Sequence, residues 1–211
     1  MFSTIILGAG KSTRMKANKS KLLFDIAGKP IITHIIDAVR QAKCSEIICV
    51  VNRESKDLVQ LLKEHKINIA FQKKSNGTAG AAEAGSKIIS SKNRKVLILC
   101  GDAPFVTTQS IKSMIKKISN ADACVGTVEL DIPKGYGRII RQGNKITEIV
   151  EERDSSIEQR SIREVNTGVI SISNSILNKY ISEIKNNNVK KEFYLTDIIK
   201  ILIRKNYKVN T

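Results

Sequence analysis

The stretch Val96-Leu97-Ile98-Leu99-Cys100-Gly101-Asp102-Ala103-Pro104 opens with five apolar residues in succession and breaks at once on glycine, aspartate and proline. An exposed strand alternates apolar and polar residues, whereas a strand apolar on both faces must be covered on both, as in the centre of a mostly parallel sheet. Ligands of such sheets bind beyond the carboxyl ends of the strands. Asp102 therefore stands where a ligand is expected. Upstream, β-branched runs alternate with helical patterns: strands at Thr4–Leu7, Glu46–Val51 and Ile69–Phe71, and helices from Pro30 to about Ala42, Lys56 to His65 and Ala79 to Ile89. The first helix carries Ile31, Ile32, Ile35, Ile36 and Val39 at helical spacing, with Pro30 expected in its first turn.

Downstream, Thr107 or Thr108 is expected to cap a helix through Ile118, and a strand follows at Ala123–Val128. From Asp131 to Ser173 the texture changes to short strands at Arg138–Arg141, Ile146–Glu151 and Glu164–Ile172, with a Gln142-Gly143-Asn144 turn. This reads as a β-rich insertion returning to the main sheet. Helices are expected at Ser175–Lys185 and Leu195–Arg204. The expected fold is an α/β sandwich, a mostly parallel sheet flanked by helices, in one domain with halves of about 1–130 and 131–211.

With 211 residues, 41% of them hydrophobic, the chain can bury one continuous core, which excludes disorder and fibrous repeats. Lys+Arg 36 against Asp+Glu 20 gives +16, a field that attracts nucleotides, phosphorylated metabolites or nucleic acid. Aromatic residues are only 4% and Trp is lacking, so single-strand stacking platforms are scarce and no nucleic acid is expected. Cys44, Cys49, Cys100 and Cys124 form no Cys-x-x-Cys pair, which fits a reduced, cytoplasmic setting. No apolar run approaches the ~20 residues of a membrane span, so no membrane partner is expected.

Three segments carry candidate chemistry. Leu7-Gly8-Ala9-Gly10-Lys11-Ser12-Thr13-Arg14 is a small-residue loop after a strand, able to cradle phosphate through backbone N–H groups, or else a surface turn with solvated lysines. It is not a P-loop, because Ile5 stands where glycine is needed, nor a dinucleotide fingerprint, because Thr13 does. Gln72-Lys73-Lys74-Ser75-Asn76-Gly77-Thr78 either places an amide against a base or merely connects two elements. Asp102 needs a counter-charge, which Mg²⁺ carried by nucleotide phosphates would supply, unless it only caps the next turn. Glu151 and Asn166 lie at strand positions from which an acceptor and an amide could meet a sugar hydroxyl. His34 and His65 have no partners at metal-ligand spacing, and no nucleophile motif is present.

In order and spacing these segments resemble the sugar-phosphate nucleotidyltransferases, in particular the uridyltransferase domain of the bacterial N-acetylglucosamine-1-phosphate uridyltransferases. The resemblance covers essentially the whole chain. Its most specific pieces are Gly10-Lys11-Ser12-Thr13-Arg14-Met15, Gly28-Lys29-Pro30, Gly77-Thr78, Gly101-Asp102-Ala103-Pro104, Gly135-Tyr136-Gly137-Arg138-Ile139, Glu164-Val165-Asn166-Thr167-Gly168 and Glu192-Phe193-Tyr194-Leu195-Thr196-Asp197.

The resemblance implies a Rossmann-like nucleotidyltransferase sandwich with a β-rich sugar-binding lobe, and UTP and N-acetylglucosamine-1-phosphate as substrates. It implies that Leu7, Gly8, Ala9, Gly10 and Gly101 line the nucleotide, that Gln72, Gly77 and Thr78 read uracil, and that Asp102 binds Mg²⁺. Lys11, Arg14 and Lys21 would be the catalytic cations, and Gly137, Glu151, Asn166, Tyr194 and Thr196 would hold the sugar phosphate. The chain departs from the family's pattern at Gly8, Ser12, Ser20, Ala79-Gly80 and Cys100. No counterpart of the family's second magnesium ligand or of its acetylating β-helix is expected, which leaves room for a separate acetyltransferase protein as partner. The alternatives are transfer to another sugar phosphate or small phosphorylated acceptor, or a catalytically impaired nucleotide-sugar-binding protein.

Overall fold

The computed structural model describes residues 1–10, 19–91 and 94–211. Its first half runs β1 (Phe2–Leu7), a small hairpin of β2 (Asp25–Ile26) and β3 (Lys29–Pro30), α1 (Ile31–Gln41), β4 (Glu46–Val51), α2 (Lys56–Glu64) and β5 (Asn68–Phe71). Then come α3 (Thr78–Ser86), β6 (Lys95–Cys100), α4 (Thr108–Lys117) and β7 (Ala123–Glu129). The second half adds β8 (Arg138–Gln142), β9 (Lys145–Val150), α5 (Ile157–Arg160), β10 (Glu164–Ser173), α6 (Asn174–Tyr180), α7 (Asp197–Arg204) and β11 (Val209–Asn210).

The main sheet has the order β11-β7-β10-β6-β1-β4-β5, with β8 and β9 branching from β10. Strands β6, β1, β4 and β5 are parallel neighbours, and the returning β10 runs antiparallel between β6 and β7. Strand β6 is covered on both faces, as its composition requires. Val96 and Ile98 pack with α3, α6 and α7, while Leu97 and Leu99 pack with α1, α2 and α4. All four are at most 1% exposed, and burying each side chain contributes about 1.5–3 kcal/mol. Thr107 caps α4 in a reciprocal capping box with Ser110.

Two local expectations are corrected and one strand is added. Pro30 ends β3, paired with Asp25 across the hairpin, and caps the start of α1 instead of lying in its first turn. The helix expected over Ser175–Lys185 ends as α6 at Tyr180 and tightens into a 3-10 turn at Ile181–Glu183. Strand β11, which pairs parallel with β7, had no signal, because two residues carry no period. No described helix is long and apolar enough to cross a membrane.

Candidate active site

Strand order reverses at β1: the chain fills β4 and β5 on one side, then crosses to β6 on the other. A crevice is expected at such a switch point. The loops there are drawn tightly together. Gly8 N donates to Val50 O at 2.8 Å and Gly101 N to Leu7 O at 3.0 Å, with Ala9 buried and Gly10 exposed. A Cβ on Gly101 would meet Leu7 O at 2.9 Å, so only glycine lets β1 and β6 close at this edge.

Asp102 follows β6 on that edge, and its carboxylate accepts from Lys21 Nζ. The counter-charge expected from Mg²⁺ is thus already given by a lysine 81 residues earlier in the chain. Lys21 begins a 3-10 turn (Lys21–Leu23), with Leu22 N at 3.4 Å from the Ser20 hydroxyl. The other two expected cations, Lys11 and Arg14, lie outside the described residues, as does Ser12.

The loop after β5 is tied together by the Gln72 side chain. Gln72 Nε2 donates to Gly77 O at 3.0 Å and to Asn76 Oδ1 at 3.1 Å. Gly77 has φ +115, and a Cβ there would run into the Phe193 backbone, meeting its nitrogen at 2.8 Å. The segment around Phe193 is strapped to this loop: Phe193 N donates to Asn76 O at 2.7 Å, Ala79 N to Phe193 O at 2.9 Å, and Leu195 N to Thr78 Oγ1 at 2.9 Å. Nothing local in the sequence signals that strap.

Asp102, Gly137, Glu151 and Asn166 line one cleft of about 1270 Å³. Asn166 N donates to Gly137 O at 2.9 Å, and Gly168 N to Asn166 Oδ1 at 3.0 Å, which leaves the Asn166 amide nitrogen for a ligand. Thr196 Oγ1 donates to Glu151 Oε1 at 3.1 Å. Burial pushes the Glu151 carboxyl above its usual range, opposed by the Thr196 hydrogen bond. Tyr194 and Thr196 are both buried and are not among the residues lining this cleft, and burial holds the Tyr194 phenol up to about 12. Thr196 touches the cleft through Glu151.

Asp197 lies beside this pair, and burial first, then the Glu151 charge, pushes its carboxyl up to about 6. The sign follows from proton counting. Between the ordinary value of 3.8 and about 6 the folded state holds more protons than the unfolded, so stability falls as pH rises through that window. Asp197→Asn is expected to match the wild type near pH 4 and to exceed it by about 1 kcal/mol at pH 7, after discounting for partial exposure. Urea unfolding at both pH values checks it, and a difference independent of pH contradicts it.

Arg138 is 2% exposed, bonding Glu152 Oε2 at 3.1 Å, Arg160 O at 3.3 Å, and Tyr136 O. Glu152 also accepts from Gly135 N. The Gly135-Tyr136-Gly137-Arg138 motif is therefore a self-locked loop that presents Gly137, with Arg138 facing inward. Cys100, pushed up to about 11 by burial, fills the wall where a Cβ on Gly168 would meet its sulfur at 3.0 Å. His34 Nε2 lies 2.7 Å from Ile26 O, which ties α1 to the β2–β3 hairpin.

The MobA-like NTP transferase domain model matches residues 4–137. The bifunctional protein GlmU of Pseudoalteromonas atlantica is 39% identical over 200 residues, and that of Staphylococcus epidermidis 34% over 203, each covering 95% of this chain. The matches cover 44% and 45% of those proteins, so the chain spans under half the length of these curated relatives. Among solved structures, UDP-glucose pyrophosphorylase complexed with UDP-glucose aligns with TM-score 0.77 at 19% identity, over 100% of this chain and 90% of that one. HddC from Yersinia pseudotuberculosis aligns with TM-score 0.73 at 20% identity, over 100% and 89%. At such identities the likeness shows the fold alone.

Proposed function

The chain belongs to the MobA-like NTP transferase domain family, and from that premise we propose that it transfers a uridylyl group from UTP to N-acetylglucosamine-1-phosphate, releasing pyrophosphate. The product is UDP-N-acetylglucosamine. The observation that carries the reading is the convergence of Asp102, Gly137, Glu151 and Asn166 on one cleft, beside the glycine loop that ends β1. Residues from three separate motifs of the resemblance, together with Glu151 just after β9, thus share one space.

The acceptor phosphate is ionised at neutral pH, so its oxygen bonds the α-phosphorus while the bond to pyrophosphate breaks, without a general base or a covalent intermediate. What the protein supplies is alignment and charge neutralisation. In this reading Lys21 contacts the reacting phosphate, and Lys11 and Arg14 stabilise the departing pyrophosphate. Leu7, Gly8, Ala9, Gly10 and Gly101 border the nucleotide, whose uracil is read by Gln72, Gly77 and Thr78. Gly137, Glu151 and Asn166 hold the sugar, with Thr196 and Tyr194 behind them.

A resident Mg²⁺ fits the donor set in one way. The Asp102 side chain is 45% exposed at the cleft, and no group of three His, Cys, Asp or Glu gathers among the described residues. That is the donor set of an ion held by one carboxylate and the phosphates, not of a protein cage. Such an ion would supply neutralisation of phosphate charge.

Pyrophosphate release from UTP, N-acetylglucosamine-1-phosphate and Mg²⁺, run beside other nucleotides, sugar phosphates and a chelator, tests the proposal. Release that needs all three supports it, and no release with UTP and any acceptor overturns it. Glu151→Ala and Asn166→Ala are each expected to raise the Michaelis constant for the sugar phosphate by the equivalent of ~1–3 kcal/mol, the worth of one hydrogen bond at a buried polar site. The constant for UTP should stay nearly unchanged. Equal effects on both substrates contradict the sugar pocket.

A further inference from the structure

Gln72 follows β5 with its amide tied at one end, through the bonds to Gly77 O and Asn76 Oδ1 already described. A primary amide has two N–H donors and one carbonyl oxygen. Gly77 O is a backbone carbonyl and only accepts, so turning the amide over would set oxygen against oxygen. The Asn76 oxygen takes the second N–H. With both donors committed, Gln72 offers a ligand only Oε1, an acceptor.

Asn76 is itself held in place. Its backbone N–H donates to Lys74 O at 2.8 Å and its carbonyl accepts from Phe193 N at 2.7 Å. Its side chain lies over α3 where Gly80 leaves room: a Cβ on Gly80 would meet Asn76 Cγ at 2.9 Å and Oδ1 closer still. Gly80 is thus what permits the Asn76 amide to reach Gln72.

This bears on base choice, and the argument rests on the reading of Gln72 as a base-reading residue. At ring position N3, uracil and thymine carry an N–H donor, whereas cytosine carries a lone pair. An acceptor-only amide bonds the former and sets lone pair against lone pair with the latter. We propose that Asn76 is a specificity-determining positioning residue, which makes the site select uracil-type bases over cytosine by holding the Gln72 amide with its oxygen outward.

The test measures kcat/KM for UTP and for CTP with N-acetylglucosamine-1-phosphate in the full chain, and the affinity of each nucleotide alone by calorimetry. The wild type is expected to prefer UTP by about a hundredfold or more. Asn76→Ala removes the acceptor and Gly80→Ala displaces the side chain, and each is expected to reduce the preference about five- to tenfold, the size of one neutral hydrogen bond. Asn76→Asp keeps an acceptor in place and should keep the preference within about twofold. A merely structural role would lower UTP and CTP together and leave their ratio alone. An unchanged ratio in both Asn76→Ala and Gly80→Ala overturns the inference, as does a wild type that does not discriminate. If UTP binds in preference to CTP but no pyrophosphate is released, the proposed reaction fails, and the binding ratios alone decide the role of Asn76.

Discussion

Lys21→Ala is expected to lower turnover about a hundred- to a thousandfold while UTP affinity stays within a few-fold. The lysine begins a capped 3-10 turn and places Nζ on Asp102, on the edge where β1 and β6 meet. A cation so placed matters most as charge redistributes between the attacking and departing phosphates, which is why the loss falls on turnover more than on binding. The Asp102 side chain is 45% exposed, so the loss of its partner costs the fold little and the rate effect is separable from unfolding. Lys19→Ala is the control: that ammonium lies 4.8 Å from the centre of the Phe24 ring, and its removal should change the rate little. Single-turnover rates beside direct UTP binding decide the matter. A folded Lys21→Ala protein with an unchanged rate removes Lys21 from the mechanism.

The second large effect is expected at Gly77. A Cβ there meets the nitrogen of Phe193 at 2.8 Å and its carbonyl carbon at 2.9 Å, on a backbone already at φ +115. Backbone cannot swing aside as a side-chain tip can, so Gly77→Ala must break the strap between residue 193 and the Asn76–Ala79 loop. A loss of about 3 kcal/mol is expected, lowering Tm by about 6–12 °C. Both Michaelis constants should rise, because the same strap carries Thr196 to Glu151 and holds the loop of Gln72. Gly143→Ala separates the causes: its φ is +57 and nothing lies within 4 Å of the added carbon, so only about 1 kcal/mol is expected. Equal losses at the two glycines would show that backbone conformation alone, and not the collision with residue 193, sets the cost.

Much of the fold was legible because its signals are local. The unbroken apolar run of β6, the helical spacing of Ile32, Ile35, Ile36 and Val39, and the β-branched run of β4 each report burial from neighbours a few residues away. Asp102 at the sheet edge followed directly, since a carboxylate after a central strand has only one end of the sheet to occupy. The motifs of the resemblance identified which segments bear on the site. They did not say which atoms meet, nor that Tyr194 and Thr196 are buried while Glu151 lines the cleft.

What the sequence by itself determined is therefore the order of the layers and the edge at which ligands are expected, because strand and helix periods impose these through burial alone. Only the tertiary structure decided that Lys21 faces Asp102 across 81 residues, that Phe193 closes on Gly77, and that Thr196 bonds Glu151. Each of these pairs two groups that are unremarkable where they stand in the chain. Their geometry exists only once the sheet has closed and brought distant loops to one edge, and no local period encodes that closure.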